Sequence, residues 1–99
     1  MMDTASTLRA TIRALMQTTG ESQRTLAASI GMAQPQVCRR MRADGTGSAW
    51  TLDDLDKLSA HWGIPVPDLI AGPDAALRSL APERRATTIG GQQTMLAAA

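Results

Sequence analysis

The stretch SQRTLAASIGMAQPQVCRRMR, residues 22–42, decides the fold, because it predicts two short helices joined by a tight turn. Leu26, Ala27 and Ile30 have the i, i+1, i+4 spacing of a helix that buries one face. Gly31 lies where the chain must leave this helix and begin another at a steep angle. That position commonly needs a positive φ, which glycine adopts at little cost.

The second helix of this stretch is predicted to begin near Gln34, since Pro35 is acceptable only in a first turn, where its missing N–H is not needed. Val37 and Met41 lie four residues apart and are predicted to face the core. The opposite side then carries Pro35, Gln36, Arg39 and Arg42, with Gln34 and Arg40 at its margins. Glutamine and arginine match adenine and guanine edges in the major groove of DNA. We therefore interpret this stretch as a DNA-reading helix-turn-helix.

A family resemblance adds to this interpretation. The spacing of Gln23, Leu26-Ala27, Ile30-Gly31, Gln34, Gln36-Val37 and Arg39 resembles the phage-repressor and Cro-type, lambda repressor-like, helix-turn-helix family. The similarity continues into Thr51-Leu52, Leu55, Leu58, Trp62-Gly63-Ile64-Pro65 and Asp68-Leu69, so it covers residues 6–72. Two positions depart from the family pattern: Pro35 replaces a polar residue, and Arg40 an apolar one.

The resemblance implies an all-α, compact five-helix domain over residues 1–72 whose third helix enters the major groove. It also implies a phosphate anchor at Gln23 and base-reading residues at Gln34, Gln36 and Arg39. In that family the loop after the reading helix runs near the DNA backbone. We accordingly expect Thr46 and Ser48, in ADGTGSA at residues 43–49, to donate to phosphate, with a plain linker as the alternative.

The charge distribution supports a nucleic-acid partner, although the net charge is only +1. Residues 22–43 contain four arginines and no acid, whereas residues 44–63 contain four aspartates and one lysine. One basic face can therefore meet phosphate while the remainder is repelled. The predicted phosphate contacts include three of those arginines: Arg24, Arg40 and Arg42.

Composition narrows the class of protein further. A chain of 99 residues builds one hydrophobic core. The absence of tyrosine and phenylalanine leaves few aromatic platforms for stacking single-stranded bases, so duplex DNA is the expected partner. A single cysteine, Cys38, suits a reducing compartment. With no apolar run that could cross a membrane and no signal peptide, we expect a cytoplasmic protein of a bacterial host cell that does not contact membranes.

Enzyme functions find little support in the sequence. There is no phosphate loop, no nucleophile elbow and no paired-carboxylate site with an obvious base. His61 has no second histidine and no cysteine pair near it, so an ordinary exposed histidine is expected. The sequence predicts no cofactor and no metal.

The segments on either side complete the predicted domain. A first helix is expected from Ser6 or Thr7 to Gly20, after a loose start. Thr51 and Asp54 form a near capping box, and the following helix is expected to bury Leu52, Leu55, Leu58 and Trp62. Trp50 is expected to be a core or hinge plug, and a short helix from Pro67 to Ala71 is expected to bury Leu69 and Ile70.

The segment 73–99 is interpreted as a C-terminal extension. Asp74 can cap a short helix, and residues 87–96 form either a hairpin around Gly90-Gly91 or disordered chain. A strand there could pair with a second copy. The end, Met95 to Ala99, resembles bacterial proteolysis tags that end in Leu-Ala-Ala.

Two hypotheses follow. The first is a sequence-specific transcriptional repressor of phage or bacterial origin, such as an immunity or Cro-like repressor, bound as a homodimer to two half-sites ~34 Å apart on a DNA operator. The second is an antitoxin-type or other protein-interaction module on the same fold, in which the tail from Asp74 onward holds the partner.

Overall fold

The computed structural model describes residues 3–42 and 48–85. These residues form six α-helices and one short 3-10 helix, with no β-strand among them, which confirms the all-α prediction. The helices are α1 Thr4–Thr19, α2 Gln23–Ile30, α3 Gln34–Arg40, α4 Leu52–Trp62, α5 Val66–Ala71 and α6 Pro73–Ser79, followed by the 3-10 helix Pro82–Arg84.

The first helix starts earlier than the sequence predicted. Asp3 is its N-cap, and its carboxylate accepts a hydrogen bond from the Ser6 N–H at 2.7 Å. Ser6 and Thr7, the predicted caps, therefore lie inside the helix. The prediction was wrong because residues 1–5 were interpreted as loose chain, although aspartate is among the strongest N-cap residues.

The helix-turn-helix elements follow the prediction closely. Ser22 caps α2 in a reciprocal capping box with Thr25, with bonds of 3.1 and 2.9 Å. Gly31 closes α2 at φ +73°, in the left-handed region that favours glycine. Helix α3 begins at Gln34 with Pro35 in its first turn, which is where a proline costs the helix no hydrogen bond.

The core lies where the helices meet. Helix α1 contributes Leu8, Ile12, Leu15 and Met16; α2 and the α3 region contribute Leu26, Ala27, Ile30, Val37 and Met41; α4 contributes Leu55, Leu58 and Trp62. Trp50 is buried next to this core, as predicted, and its indole N–H has no acceptor among the described residues. The inner face of α3 is therefore fixed against the rest of the domain.

Two residues predicted to be in the core are exposed. Leu52 is 79% exposed because it begins α4 at one edge of the buried face, and Asp54 takes the opposite edge with an exposure of only 5%. Ile70 is 39% exposed. It follows Leu69, which is fully buried, and consecutive helical side chains point about 100° apart.

The segment after residue 72 continues the same core. Helix α6 packs against α1 and α5, and it buries Ala76 completely and Leu80 almost completely. Gly72, not Asp74, is its N-cap, and Asp74 lies in the first turn. Residues 1–72 contain the five α-helices α1 to α5, and α6, beyond the predicted boundary at residue 72, packs against two of them. The predicted hairpin at residues 87–96 lies outside the described residues.

Candidate nucleic-acid interface

Packing turns one side of α3 away from the protein. Helix α3 rests on α2, and its core-facing residues Val37 and Met41 are buried. The side chains of α3 that remain accessible, termed here the outer face of α3, include Gln36 and Arg39 and, at the first position of the helix, Gln34. These are the three residues predicted to read bases, and all three lie on one seven-residue helix.

Gln34 and Arg39 are open to solvent. Both side chains are exposed, and neither forms a hydrogen bond or an ion pair with any described residue. A guanidinium carries five N–H donors and a carboxamide carries donors and an acceptor. Their hydrogen-bonding capacity is therefore available to a ligand.

Gln36 differs from its neighbours because part of its side chain is already engaged. Its Oε1 accepts a hydrogen bond from the Ala33 N–H at 3.1 Å, and the side chain is half-buried. Ala33 is the N-cap of α3 but has no side-chain oxygen with which to cap it. Gln36 therefore supplies one half of a capping box from the third position of the helix.

Arg40, which was predicted to contact phosphate, is largely buried beside an acid. Its Nε lies 2.8 Å from Asp54 Oδ2, and the two side chains are only 14% and 7% exposed. Asp54 Oδ2 also accepts from the Thr51 N–H at 3.0 Å. Burial disfavours the Asp54 carboxylate, but the bonds from Arg40 and Thr51 outweigh it and hold its pKa below the usual 3.8. Arg40 thus joins the end of α3 to the start of α4.

This ion pair is a structural feature next to the candidate interface that sequence reasoning missed. A signal was present, because Arg40 stands where the resembled family often has an apolar residue. An arginine turned toward a core needs an acid beside it, since an unpaired buried charge is costly. The sequence predicts a role for that acid, Asp54, only in the near capping box with Thr51.

The remaining candidates for phosphate contacts are distributed around α2 and α3. Gln23 is the first residue of α2 and is half-buried, whereas Arg24 is exposed and has no ion-pair partner among the described residues. Arg42, just after α3, and Ser48 are exposed. Thr46 lies outside the described residues.

A second polar cluster surrounds Glu21, in the turn before α2. Its carboxylate accepts from Thr19 Oγ1 at 2.6 Å and from Trp62 Nε1 at 2.8 Å, and it lies 2.6 Å from His61 Nε2. His61 is therefore not the exposed histidine that was predicted, since its side chain is only 17% exposed. The cluster ties the start of α2 to the end of α4. No group of metal-binding side chains occurs in the described part of the chain.

Comparison of the chain with protein-family models, with curated proteins and with solved structures gave no match. None of the described helices has the length and apolar character that crossing a bilayer requires. The functional proposal therefore depends on the geometry of α3 and its surroundings.

Proposed function

We propose that this protein binds double-stranded DNA in a sequence-specific manner and acts as a transcriptional repressor, with α3 entering the major groove in the manner of a lambda repressor-like helix-turn-helix. The observation that carries the proposal is the outer face of α3. It combines Gln34, Gln36 and Arg39, while Val37 and Met41 hold the inner face in the core.

The side chains of this face can form hydrogen bonds with the bases of DNA. Arginine and glutamine are the side chains that form paired hydrogen bonds with base edges in the major groove. A cationic side chain on such a helix also gains from the negative potential of the duplex. Arg39 keeps its charge unneutralised by any described acid, as does Arg24 at the start of α2.

Contacts that hold the helix-turn-helix rigidly favour discrimination between DNA bases over non-specific binding to the duplex. The Arg40–Asp54 pair links α3 to α4, and the capped start of α2 is linked through Glu21 to the end of α4. Base discrimination requires side chains held within a fraction of an ångström of a productive position. Both links hold the helix-turn-helix against the body of the domain.

One helix of this length contacts few base pairs, so we propose that two copies bind neighbouring half-sites of a palindrome, ~34 Å apart. The cytoplasm of a bacterial host remains the expected location for such a repressor.

The test is selection of bound sequences from random duplex DNA by the full-length protein. We expect enrichment of one short palindromic motif and tight binding to it at moderate salt. Recovery of no motif, with equal affinity for all duplexes, would leave only non-specific binding and overturn the proposal. Recovery of a single non-repeated motif would retain DNA reading but exclude the paired half-sites.

A further inference from the structure

The hydrogen bond with Ala33 fixes which end of the Gln36 carboxamide faces the backbone. Ala33 N–H can only donate, so the carboxamide must face it with its oxygen, and the observed 3.1 Å contact is with Oε1. The amide NH₂ of Gln36 is attached to the same planar group and is thereby turned away from Ala33. Gln34, by contrast, is exposed and has neither end of its amide engaged by a described residue.

The neighbouring residues restrict the backbone on both sides of Gln36. The ring of Pro35, before it, fixes the φ angle of Pro35, and Val37, after it, is completely buried. The Gln36 N–H bonds to the Ala33 carbonyl at 3.0 Å, so backbone and side chain both bond to the same residue. Release of Oε1 would leave the N-terminus of α3 without a side-chain cap.

We infer that Gln36 is the specificity residue for a guanine, because no described residue accepts from its NH₂, whereas the Ala33 N–H already occupies one of the two lone pairs of Oε1. A glutamine reads adenine by using its oxygen and its NH₂ together, and the Ala33 contact turns that oxygen toward the backbone at the start of α3. Guanine shows two adjacent acceptors, N7 and O6, in the major groove. Adenine and cytosine each present an exocyclic amino donor there, and thymine pairs its one acceptor with a methyl group.

This inference rests on the proposed function and deepens it. Arg39, about one turn further along α3, offers donors only. The outer face of α3 therefore favours guanine at two of its three reading positions and leaves Gln34 free to read adenine. The expected half-site contains guanine opposite both Gln36 and Arg39.

The sharpest test is Gln36→Glu. Glutamate keeps an oxygen for the Ala33 N–H, and it is a usual residue at this capping position, so α3 keeps its start. The outward NH₂ becomes an oxygen, which is an acceptor. We expect one position of each half-site to change from guanine in the wild-type selection to cytosine in the variant selection, because the N4 amino group of cytosine is a donor.

Affinity supplies a second readout. On the wild-type site, Gln36→Glu should weaken binding by at least about tenfold. Gln17→Glu, at an exposed position of α1, adds the same charge away from α3 and should leave both the motif and the site preference unchanged. Replacement of the assigned guanine by 7-deazaguanine, which lacks N7, should weaken wild-type binding and leave Gln36→Glu binding unaffected.

The outcomes separate this inference from the proposed function. If the wild-type protein enriches no motif, the proposed function fails and the guanine assignment fails with it. If it enriches a motif that Gln36→Glu leaves unaltered, or if the altered position is adenine in the wild-type motif, only the assignment of Gln36 to guanine is overturned.

Discussion

Arg39 and Arg40 are neighbours in sequence, yet their guanidinium groups face different surroundings. Arg39 is exposed and has no acid beside it in the described residues, whereas Arg40 contacts the buried carboxylate of Asp54. Consecutive side chains on a helix point about 100° apart, which is enough to place one in solvent and one against α4. Of these two neighbours, Arg39 is therefore the one that offers its charge to a ligand.

Replacing Arg39 with alanine should weaken binding to the selected DNA site by about 1–3 kcal/mol if Arg39 pairs with a base, and by far less on random DNA. Anisotropy titrations at one fixed salt concentration measure both. Arg78→Ala removes an exposed charge from α6 and serves as the control. Equal losses on the two DNAs would reduce Arg39 to a phosphate contact.

Glu21 makes stability depend on pH. Burial disfavours its carboxylate, but hydrogen bonds from Thr19, Trp62 and His61 outweigh burial and lower its pKa below the usual 4.5. The folded state then binds fewer protons than the unfolded chain, so the free energy of unfolding is highest above about pH 4.5 and decreases as the pH falls through the lowered pKa. Urea unfolding at a series of pH values should show this loss.

Glu21→Gln isolates the contribution of the carboxylate. An amide has one oxygen where the carboxylate has two, so the variant should be less stable near neutral pH and should lose less stability on acidification. The Asp54 carboxylate, whose pKa is also lowered, is present in both proteins and cancels in the comparison. Identical pH dependence in the two proteins would show that Glu21 is not responsible.

At the scale of elements, the Arg40–Asp54 pair is the contact that orients α3 relative to α4. Arg40→Ala would leave the charge of Asp54, which is 5% exposed, buried without its ion-pair partner. We expect a loss of about 3 kcal/mol in the free energy of unfolding. Lys57→Ala, which breaks the exposed pair with Asp53 at 3.6 Å, is the matched control and should cost less than about 0.5 kcal/mol. Similar losses from both changes would contradict a special role for the buried pair.

Two leucines of α4 test where its buried face lies. Leu58 has no exposed surface, so Leu58→Ala should cost about 2–5 kcal/mol through lost packing and the cavity left behind. Leu52 is exposed, and Leu52→Ala should change stability by no more than about 0.5 kcal/mol. Chemical denaturation of both variants measures these changes in the free energy of unfolding. A large loss from Leu52→Ala would mean that another surface, such as a second copy, covers it.

The sequence predicted the element ends better than the contacts between elements. Ser22, Gly31 and Thr51 act through bonds to residues a few positions away, so their signals are local and readable. Arg40 pairs with a residue 14 positions away, and His61 with one 40 positions away. Such pairs depend on how helices cross, which periodicity does not specify. The accessibility of Arg39 was predictable because about 100° per residue places it nearly opposite Val37, with Gln36 about 100° away from that buried residue.

For the molecule as a whole, α6 decides where the folded unit ends. A chain ending at Gly72 would lose Ala76 and Leu80 from the core and leave α1 uncovered. We expect it to unfold at a clearly lower temperature than the full chain and than a chain ending at Arg85, which retains α6. Equal stability of the Gly72 chain would show that α6 is dispensable.

The same comparison bears on the interaction-module alternative, in which the segment from Asp74 onward holds a protein partner. Helix α6 buries Ala76 in the core, so a partner would have to contact its exposed side or the residues that follow it. Sedimentation and DNA binding of the chain ending at Arg85 test whether residues 86–99 are needed for a dimer or for the operator. Unchanged values would assign both properties to residues 1–85.

The two tryptophans give this protein an internal optical reporter, since no tyrosine or phenylalanine contributes to its emission. Trp50 is buried without an acceptor for its N–H, so its fluorescence should be shifted to the blue. Trp62 is also buried and donates to Glu21, so loss of that contact on unfolding should change its emission. Tryptophan emission would then report on the chain just before α4 and on its last residue, without any added label.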